Sequence, residues 1–213
     1  MSGLLRLAGV EIALAGRVLV PTLDLAVEGG EVVTIMGPSG VGKSTLLAFI
    51  CGTVDPAFSA RGRVYVGETE VTRLPPERRR LGILFQDDLL FPHLSVGENL
   101  AFGLPSAIRG KHRRVRRIEA GLAGAGLAGF APRDPATLSG GQRARIALLR
   151  TLLAEPQALL LDEPFSKLDA ALREEFRRFV FSLIAARGLP ALLVTHDGAD
   201  AEAAGGRVLR LDG

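Results

Sequence analysis

The amino-acid sequence predicts an α/β fold, and two observations indicate it. Three apolar runs, residues 32–36, 158–161 and 191–194, have the length and composition of strands that are buried on both faces of a sheet. Helical patterns lie between these runs, and a glycine-rich loop directly follows the first of them. Because ligands of such folds bind at the carboxyl ends of the strands, we expect the functional residues to follow the runs.

The glycine-rich loop matches the pattern G-x-x-x-x-G-K-[ST], which binds nucleotide phosphates. It consists of Gly37, Pro38, Ser39, Gly40, Val41, Gly42, Lys43, Ser44 and Thr45. Its glycines let backbone N–H groups point into one concavity, and the helix predicted after it adds the positive end of its dipole. We expect Lys43 to act as a catalytic cation, Ser44 to bind Mg²⁺ and Thr45 to reach an inner phosphate. The alternative, a glycine-rich turn with a solvated lysine, is disfavoured by the strand before the loop and the helix after it. The sequence therefore predicts a P-loop NTPase core.

The order of patterns also predicts the domain organisation. Residues 4–27 read as short strands that form an N-terminal antiparallel β edge, and residues 63–66, 81–85 and 207–211 are again strand-like. Between residues 87 and 155 helix formers dominate, with helices predicted at 96–102, 109–123 and 140–153. A further amphipathic helix is predicted at 170–187. We expect a sheet domain of residues 1–86 and 156–213 with a mixed or parallel sheet, an inserted α-helical lobe at 87–155, and no additional C-terminal domain.

Composition narrows the class of protein. The longest apolar runs are far shorter than the roughly 18 residues of a membrane span, and no secretory signal is evident, so we expect a cytosolic chain. The single cysteine, Cys51, is expected to be a small core residue. Net charge is only +3, and the basic runs at 78–80 and 111–117 are typical of solvated faces, so a nucleic-acid partner is not indicated.

Two acids follow the apolar run 158–161. We expect Asp162 to bind Mg²⁺ through its water shell and Glu163 to polarise an attacking water as a catalytic base. An acidic turn after a core strand is the alternative, and the presence of the phosphate loop disfavours it.

A second glycine-rich stretch precedes the predicted helix 140–153. It consists of Leu138, Ser139, Gly140, Gly141 and Gln142. Ser139 is a good N-cap, and the two glycines bare the first backbone N–H groups, so the helix start is a second phosphate site, one without a lysine. Ordinary capping is the alternative.

Together these motifs resemble those of the ATP-binding subunits of ABC transporters, over nearly the whole chain. The resemblance includes Gln86, the LSGGQ signature at 138–142, the acidic strand, the segment 166–169 and the switch Thr195-His196-Asp197. It implies an ATPase that works as a head-to-tail homodimer with two shared ATP sites, in which the signature binds the γ-phosphate held by the opposite subunit. It also implies that Gln86 contacts Mg²⁺ and the attacking water, that His196 holds the γ-phosphate, and that Asp169 belongs to the nucleotide site.

The segment 86–100 is similar to importer ATPases, and the chain most resembles thiamine-type importers and the short YnjD-like ATPases. This resemblance implies membrane permease subunits and an external substrate-binding protein as partners, and a place on the cytoplasmic face of the membrane. The apolar cluster Leu89, Leu90, Phe91 and Leu94 is then either a docking groove for a permease helix or part of the lobe's own core. A soluble non-transport ABC ATPase is disfavoured because long coiled-coil insertions and a second cassette are absent. A P-loop small-molecule kinase is disfavoured by the signature and the histidine switch.

Two positions depart from the pattern that the resemblance implies. The family places an aromatic residue before the phosphate loop to stack on adenine, whereas no aromatic residue precedes Phe49 here, and Leu14 takes that place. The family often has alanine at the position of Lys167, which puts a charge near the expected dimer interface.

Overall fold

The computed structural model describes residues 3–211, which alternate between strands and helices. The strands are β1 Leu4–Leu14, β2 Arg17–Glu28, β3 Val32–Met36, β4 Phe58–Val66, β5 Thr69–Glu70, β6 Leu81–Leu84, β7 Ala158–Asp162, β8 Ala191–Thr195 and β9 Val208–Arg210. The helices are α1 Lys43–Cys51, α2 Val96–Gly103, α3 Lys111–Gly124, α4 Gly140–Leu153, α5 Ala170–Arg187 and α6 Gly198–Ala204, with 3₁₀ turns at Pro76–Arg78 and Pro135–Thr137.

The central sheet confirms the predicted α/β class. Its strand order is β6-β7-β8-β3-β9, and β3 pairs in parallel with both β8 and β9, as β7 does with β8. The side chains of β8 are all buried, as are the first four of β7 and of β3. This burial on both faces explains why these strands read as unbroken apolar runs instead of alternating ones.

The N-terminal strands form a sheet of their own, with the order β2-β1-β4-β5, and not merely an edge of the central sheet. β1 and β2 are 11 and 12 residues long, where short strands are predicted, and the β1–β2 register shifts between Leu7 and Val10. Gly9 lies in that irregularity with φ +57°, and β2, at the edge, tolerates Pro21. One hydrophobic core contains side chains from both sheets and from α1.

Contacts within the chain define two compact units. The first contains the residues up to Ile83, Gln157–Glu163 and the residues from Arg177 onward, and the second contains Leu84–Pro156 and Pro164–Phe176. The sequence places 164–176 in the sheet domain, whereas the structure groups this segment with the helices. The reason is a set of contacts between this segment and residues 84–156: Arg145 donates to Glu175 at 2.5 Å, and Lys167 pairs with Asp87.

The second unit contains helices α2, α3 and α4 where helices are predicted, with ends shifted by one or two residues at most. Ser95 and Glu98 close a reciprocal capping box at the start of α2, and Ser139 and Gln142 close another at the start of α4. None of the helices within residues 3–211 combines the length and the hydropathy that a membrane span requires.

Cys51 lies at the end of α1 and packs against the core of the first unit, as predicted. Burial raises the pKa of its thiol to about 11, which keeps the sulfur protonated and unreactive at neutral pH.

Candidate functional site

The loop between β3 and α1 needs glycine at two positions. Gly42 caps α1 with φ +101°, and a Cβ there would lie 3.1 Å from Val20 and 3.2 Å from Leu19. A Cβ on Gly37 would lie 2.5 Å from the carbonyl oxygen of Leu211. The backbone therefore turns tightly into the start of α1 and presents the first amides of the helix at the carboxyl end of β3, as an anion site requires.

Lys43 is buried, and its ammonium folds back over the loop. Its Nζ donates to the carbonyl oxygens of Gly37, at 2.7 Å, and of Pro38, at 2.8 Å. These contacts hold the cation at the concavity of the loop, where phosphate oxygens can take over its hydrogen bonds.

Ser44 and Asp162 place two oxygen ligands side by side. The Ser44 hydroxyl donates to Asp162 Oδ1 at 3.0 Å, which joins the start of α1 to the end of β7. Burial raises the pKa of Asp162, a shift that the Ser44 hydrogen bond opposes and the neighbouring Glu163 reinforces. Burial disfavours the charged form of the Asp162 carboxylate, and a bound cation would favour it. Hard cations such as Mg²⁺ prefer oxygen ligands, so the Ser44 hydroxyl and the Asp162 carboxylate fit that ion.

Glu163 and His196 meet at the carboxyl ends of β7 and β8. Glu163 Oε2 lies 3.2 Å from His196 Nδ1, and the backbone N–H of Glu163 donates to Val194 at 2.9 Å. Glu163 adopts φ +46°, a left-handed conformation that is unusual for a residue with a side chain. Such strained residues persist where surrounding contacts hold them, and they cluster at functional sites.

The second unit carries the LSGGQ stretch at the start of α4. The Ser139 hydroxyl accepts from the N–H of Gln142 at 3.3 Å, and Gln142 Oε1 accepts from the N–H of Ser139 at 3.0 Å. Leu138 is buried, which anchors the loop, while Ser139 is exposed, so the helix start faces solvent. Ser139 therefore is the N-cap that the sequence predicts.

Gln86 and Asp169 also lie in the second unit. Gln86 lines a cavity of about 260 Å³ together with Asp87, Gly140 and Lys167. Asp169 is exposed, and its Oδ1 accepts from the N–H of Leu172 at 3.0 Å at the start of α5.

The structure thus assembles the predicted site residues into two groups, one in each unit. The first unit brings together the phosphate loop 37–45, Asp162, Glu163 and His196. The second unit carries Gln86, the stretch 138–142 and Asp169.

Sequence reasoning missed α6 and the buried residues beside it. Asp200, on α6, and Arg177, on α5, are buried charged residues that hydrogen-bond each other at 2.6 Å. α6 is seven residues of glycine, alanine and acids, without apolar periodicity, so only the capping residue Asp197 could have indicated it.

Comparisons with known proteins identify the family of the chain. The family model described as ABC transporter matches residues 20–166. The ABC transporter ATP-binding protein YnjD of Escherichia coli K12 is 49% identical over 194 residues, which cover 91% of this chain and 89% of that protein. The Fe(3+) ions import ATP-binding protein FbpC of Rhizobium etli is 44% identical over 190 residues, covering 89% of this chain and 53% of that protein. FbpC of Brucella abortus 2308 is 46% identical over 177 residues, which cover 83% of this chain and 49% of that protein.

The chain spans about half the length of these iron-import relatives, and nearly all of the Escherichia coli one. The family model covers more than half of the chain, and it includes the phosphate loop, the LSGGQ stretch and the acidic strand. The chain therefore belongs to the ABC transporter family, as an ATP-binding subunit that hydrolyses ATP.

Proposed function

We propose that this chain drives substrate import through a membrane permease, by ATP-dependent closure of a head-to-tail homodimer. One observation carries the proposal: within residues 3–211 two glycine-rich helix starts suit phosphate, and the proposed catalytic side chains lie beside the first of them. The start of α1 has Lys43, Asp162 and Glu163 in its own unit, whereas the start of α4 offers backbone amides and Ser139 without a lysine. A second copy that contributes its α4 start gives each ATP a complete set of contacts.

Within one copy, the phosphate loop binds the triphosphate. Backbone amides of Gly40 to Thr45 hold the phosphates, Lys43 exchanges its two carbonyl contacts for phosphate oxygens, and Thr45 reaches an inner phosphate. Ser44, Asp162 and Gln86 would hold Mg²⁺, which when bound neutralises charge on the phosphates.

Glu163 acts as the base that orients and deprotonates the attacking water, and Gln86 contacts that water. His196 stabilises the γ-phosphate. The 3.2 Å contact between Glu163 and His196 supports this pairing, because it places both side chains at one point of the sheet edge.

The opposite copy completes the site with Leu138 to Gln142 and with Asp169. In this arrangement the first unit holds ATP, and the second unit presents the signature to the partner. The dimer closes when ATP binds and reopens after hydrolysis, and these two movements can drive conformational changes in a permease.

The second unit exposes an apolar surface suited to a permease segment. Phe102 is 67% exposed, Leu89 54% and Phe91 37%. The Phe91 and Phe102 rings lie 4.8 Å apart between centroids, and the Arg150 guanidinium lies 5.5 Å from the Phe91 ring. Leu90 and Leu94 are half-buried, so the cluster predicted from the sequence divides between core and surface. Exposed aromatic rings grouped in this way are typical of interaction sites.

The import direction rests on the relatives named as Fe(3+) import ATP-binding proteins. We propose an external substrate-binding protein as a further partner, and a place for this chain at the cytoplasmic face of the membrane.

Replacing Phe91 with aspartate tests the permease contact. A carboxylate buried in an apolar interface costs several kcal/mol, so we expect the variant to leave the membrane fraction of its source cells. ATP hydrolysis by the purified chain stays within about two-fold of the wild type, as for a surface substitution. The measurement is the share of chain that sediments with membranes, together with ATP turnover of the supernatant form.

The matched control for Phe91→Asp is Val208→Asp, which adds the same charge at an exposed apolar position of the first unit. We expect this control to stay with the membranes. If Phe91→Asp lowers the melting temperature strongly and loses ATP hydrolysis, Phe91 is a core residue and the docking surface lies elsewhere.

Replacing Leu14 with tyrosine tests nucleotide recognition. Leu14 ends β1 and is exposed, and it forgoes an aromatic stacking term of about 0.5 to 1.5 kcal/mol. We expect tyrosine to tighten ATP binding by a few-fold to about tenfold without changing kcat, because about 1.4 kcal/mol is tenfold. The wild-type chain hydrolyses GTP within about an order of magnitude of ATP at saturation. Nucleotide titration and turnover with both substrates measure these effects.

Phe58 provides the control for Leu14→Tyr, because it lies directly opposite Leu14 on β4. If the wild type strongly prefers ATP, and Phe58→Leu loses that preference while Leu14→Tyr has no effect, then Phe58 already contacts the adenine.

A further inference from the structure

His196 is an exposed side chain whose position depends on its neighbours in the chain. Its imidazole is 58% exposed, and its contact with Glu163 spans 3.2 Å. Because more than half of the ring is exposed, packing constrains it less than it would a buried ring, and the backbone on either side helps to set where it points. Thr195 precedes it as the last residue of β8, and Asp197 follows it as the N-cap of α6.

A buried cluster of charged and polar side chains holds both of those neighbours. The Thr195 hydroxyl donates to Asp200 Oδ2 at 2.6 Å and accepts from the backbone N–H of Asp197 at 3.1 Å. Arg177 donates from Nε to Asp200 Oδ1 at 2.6 Å and from Nη2 to Asp197 Oδ2 at 3.3 Å. Asp197 Oδ1 in turn accepts from the N–H of Ala199 at 2.8 Å.

The cluster differs from a solvated ion pair because its members are buried and joined by several hydrogen bonds. Asp200, Arg177 and Thr195 are all buried, and an unpaired buried charge is costly, so the geometry of each partner constrains the others. The hydrogen bonds converge on the residues before and after His196 and tie them to α5 and α6. Arg177 and Asp200 lie 23 positions apart in the sequence, so their hydrogen bond is a tertiary contact and not part of a local turn.

We propose that Arg177, Asp200 and Thr195 are positioning residues that fix the backbone around His196, and thereby its alignment with Glu163 and the γ-phosphate. The inference rests on the proposed role of His196. Arg177, Asp200 and Thr195 are buried, so we expect loss of the cluster to act on the chemical step through His196 and to leave nucleotide binding at the phosphate loop intact.

Asp200→Asn is the direct test. Arg177 donates to one carboxylate oxygen and Thr195 to the other, so in asparagine an NH₂ group, itself a donor, faces one of these two donors. We expect kcat for ATP to fall about 10- to 100-fold, the scale on which misplacement of about 1 Å acts, while KM changes less than about three-fold. Purified chain, ATP and Mg²⁺ suffice for the assay.

Thr195 provides a matched pair of milder variants. Thr195→Val keeps the shape and removes the hydroxyl, and we expect it to lower kcat as Asp200→Asn does. Thr195→Ser keeps the hydroxyl, and we expect nearly wild-type kcat. Leu7→Ala in the core of the first unit controls for lost stability: it lowers the melting temperature without lowering kcat per folded molecule.

A double-mutant cycle with His196→Ala separates positioning from general destabilisation. If the cluster acts through His196, Asp200→Asn lowers kcat less than about two-fold in the His196→Ala background. An equal loss in both backgrounds, a KM that rises in proportion, or an unchanged kcat in Asp200→Asn would overturn the inference. A wild-type kcat in His196→Ala itself would refute the proposed role of His196, and this inference with it.

Discussion

Replacing Glu163 with glutamine is expected to abolish ATP turnover while ATP still binds. The amide cannot take a proton from water, and loss of a general base costs about 10²- to 10⁴-fold in rate. Glutamine keeps the shape of the side chain, so the left-handed backbone at position 163 and the end of β7 are not disturbed. The phosphate loop, Lys43 and Asp162 remain, and with them the affinity for the nucleotide.

The Glu163→Gln chain is expected to accumulate as an ATP-bound dimer, because closure no longer ends in hydrolysis. Size-exclusion chromatography with light scattering, with and without ATP and Mg²⁺, measures the dimer, and phosphate release measures turnover. Glu202→Gln is the matched control, since it removes the same charge at an exposed position of α6 and is expected to behave as wild type. Near-normal hydrolysis, or a monomer under all conditions, contradicts the role of Glu163.

Replacing Ser139 with arginine is expected to abolish turnover as well, although Ser139 lies outside the unit that holds the phosphate loop. The large arginine side chain fills the exposed start of α4. The substitution also removes the Ser139 hydroxyl, which caps the helix by accepting from the N–H of Gln142. If that helix start binds the γ-phosphate held by another copy, ATP binding by each monomer survives and dimer closure fails. We expect at least about a 100-fold loss of kcat, the scale of losing an oxyanion-type contact.

The control for Ser139→Arg is Ser182→Arg, which adds the same cation at an exposed serine of α5. Equilibrium titration of a fluorescent ATP analogue, followed by turnover, distinguishes binding from closure. Wild-type turnover in Ser139→Arg would show that the start of α4 takes no part in hydrolysis.

Sequence patterns of a few residues predict those helices and strands that short-range interactions determine. The strand at Val32–Met36 and the helix at Gly140–Leu153 lie where the sequence indicates them, because an unbroken apolar run and a serine cap each act over a few residues. The family's motif spacing likewise identifies Glu163 and His196, whose side chains the structure brings to 3.2 Å.

Tertiary contacts decide what the sequence does not indicate. The assignment of residues 164–176 to the helical unit depends on the Arg145–Glu175 and Lys167–Asp87 contacts, which no periodicity reveals. The buried Arg177–Asp200 pair joins residues 23 positions apart. In the sequence Arg177 reads as an ordinary charge on a helix face, and Asp200 lies where no helix is predicted. Buried charges of this kind become recognisable only when their partners are known.

The shared ATP site is tested most directly by mixing two inactive chains. Lys43→Ala damages the phosphate loop and Ser139→Arg damages the signature, so each homodimer has two defective sites. A heterodimer of the two variants has one intact site, formed by Lys43 of one chain and Ser139 of the other. After equal amounts are mixed with ATP and Mg²⁺, we expect turnover to rise to as much as about a quarter of wild type, because random pairing makes half of the dimers mixed. Turnover that never exceeds that of the single variants would contradict the shared site.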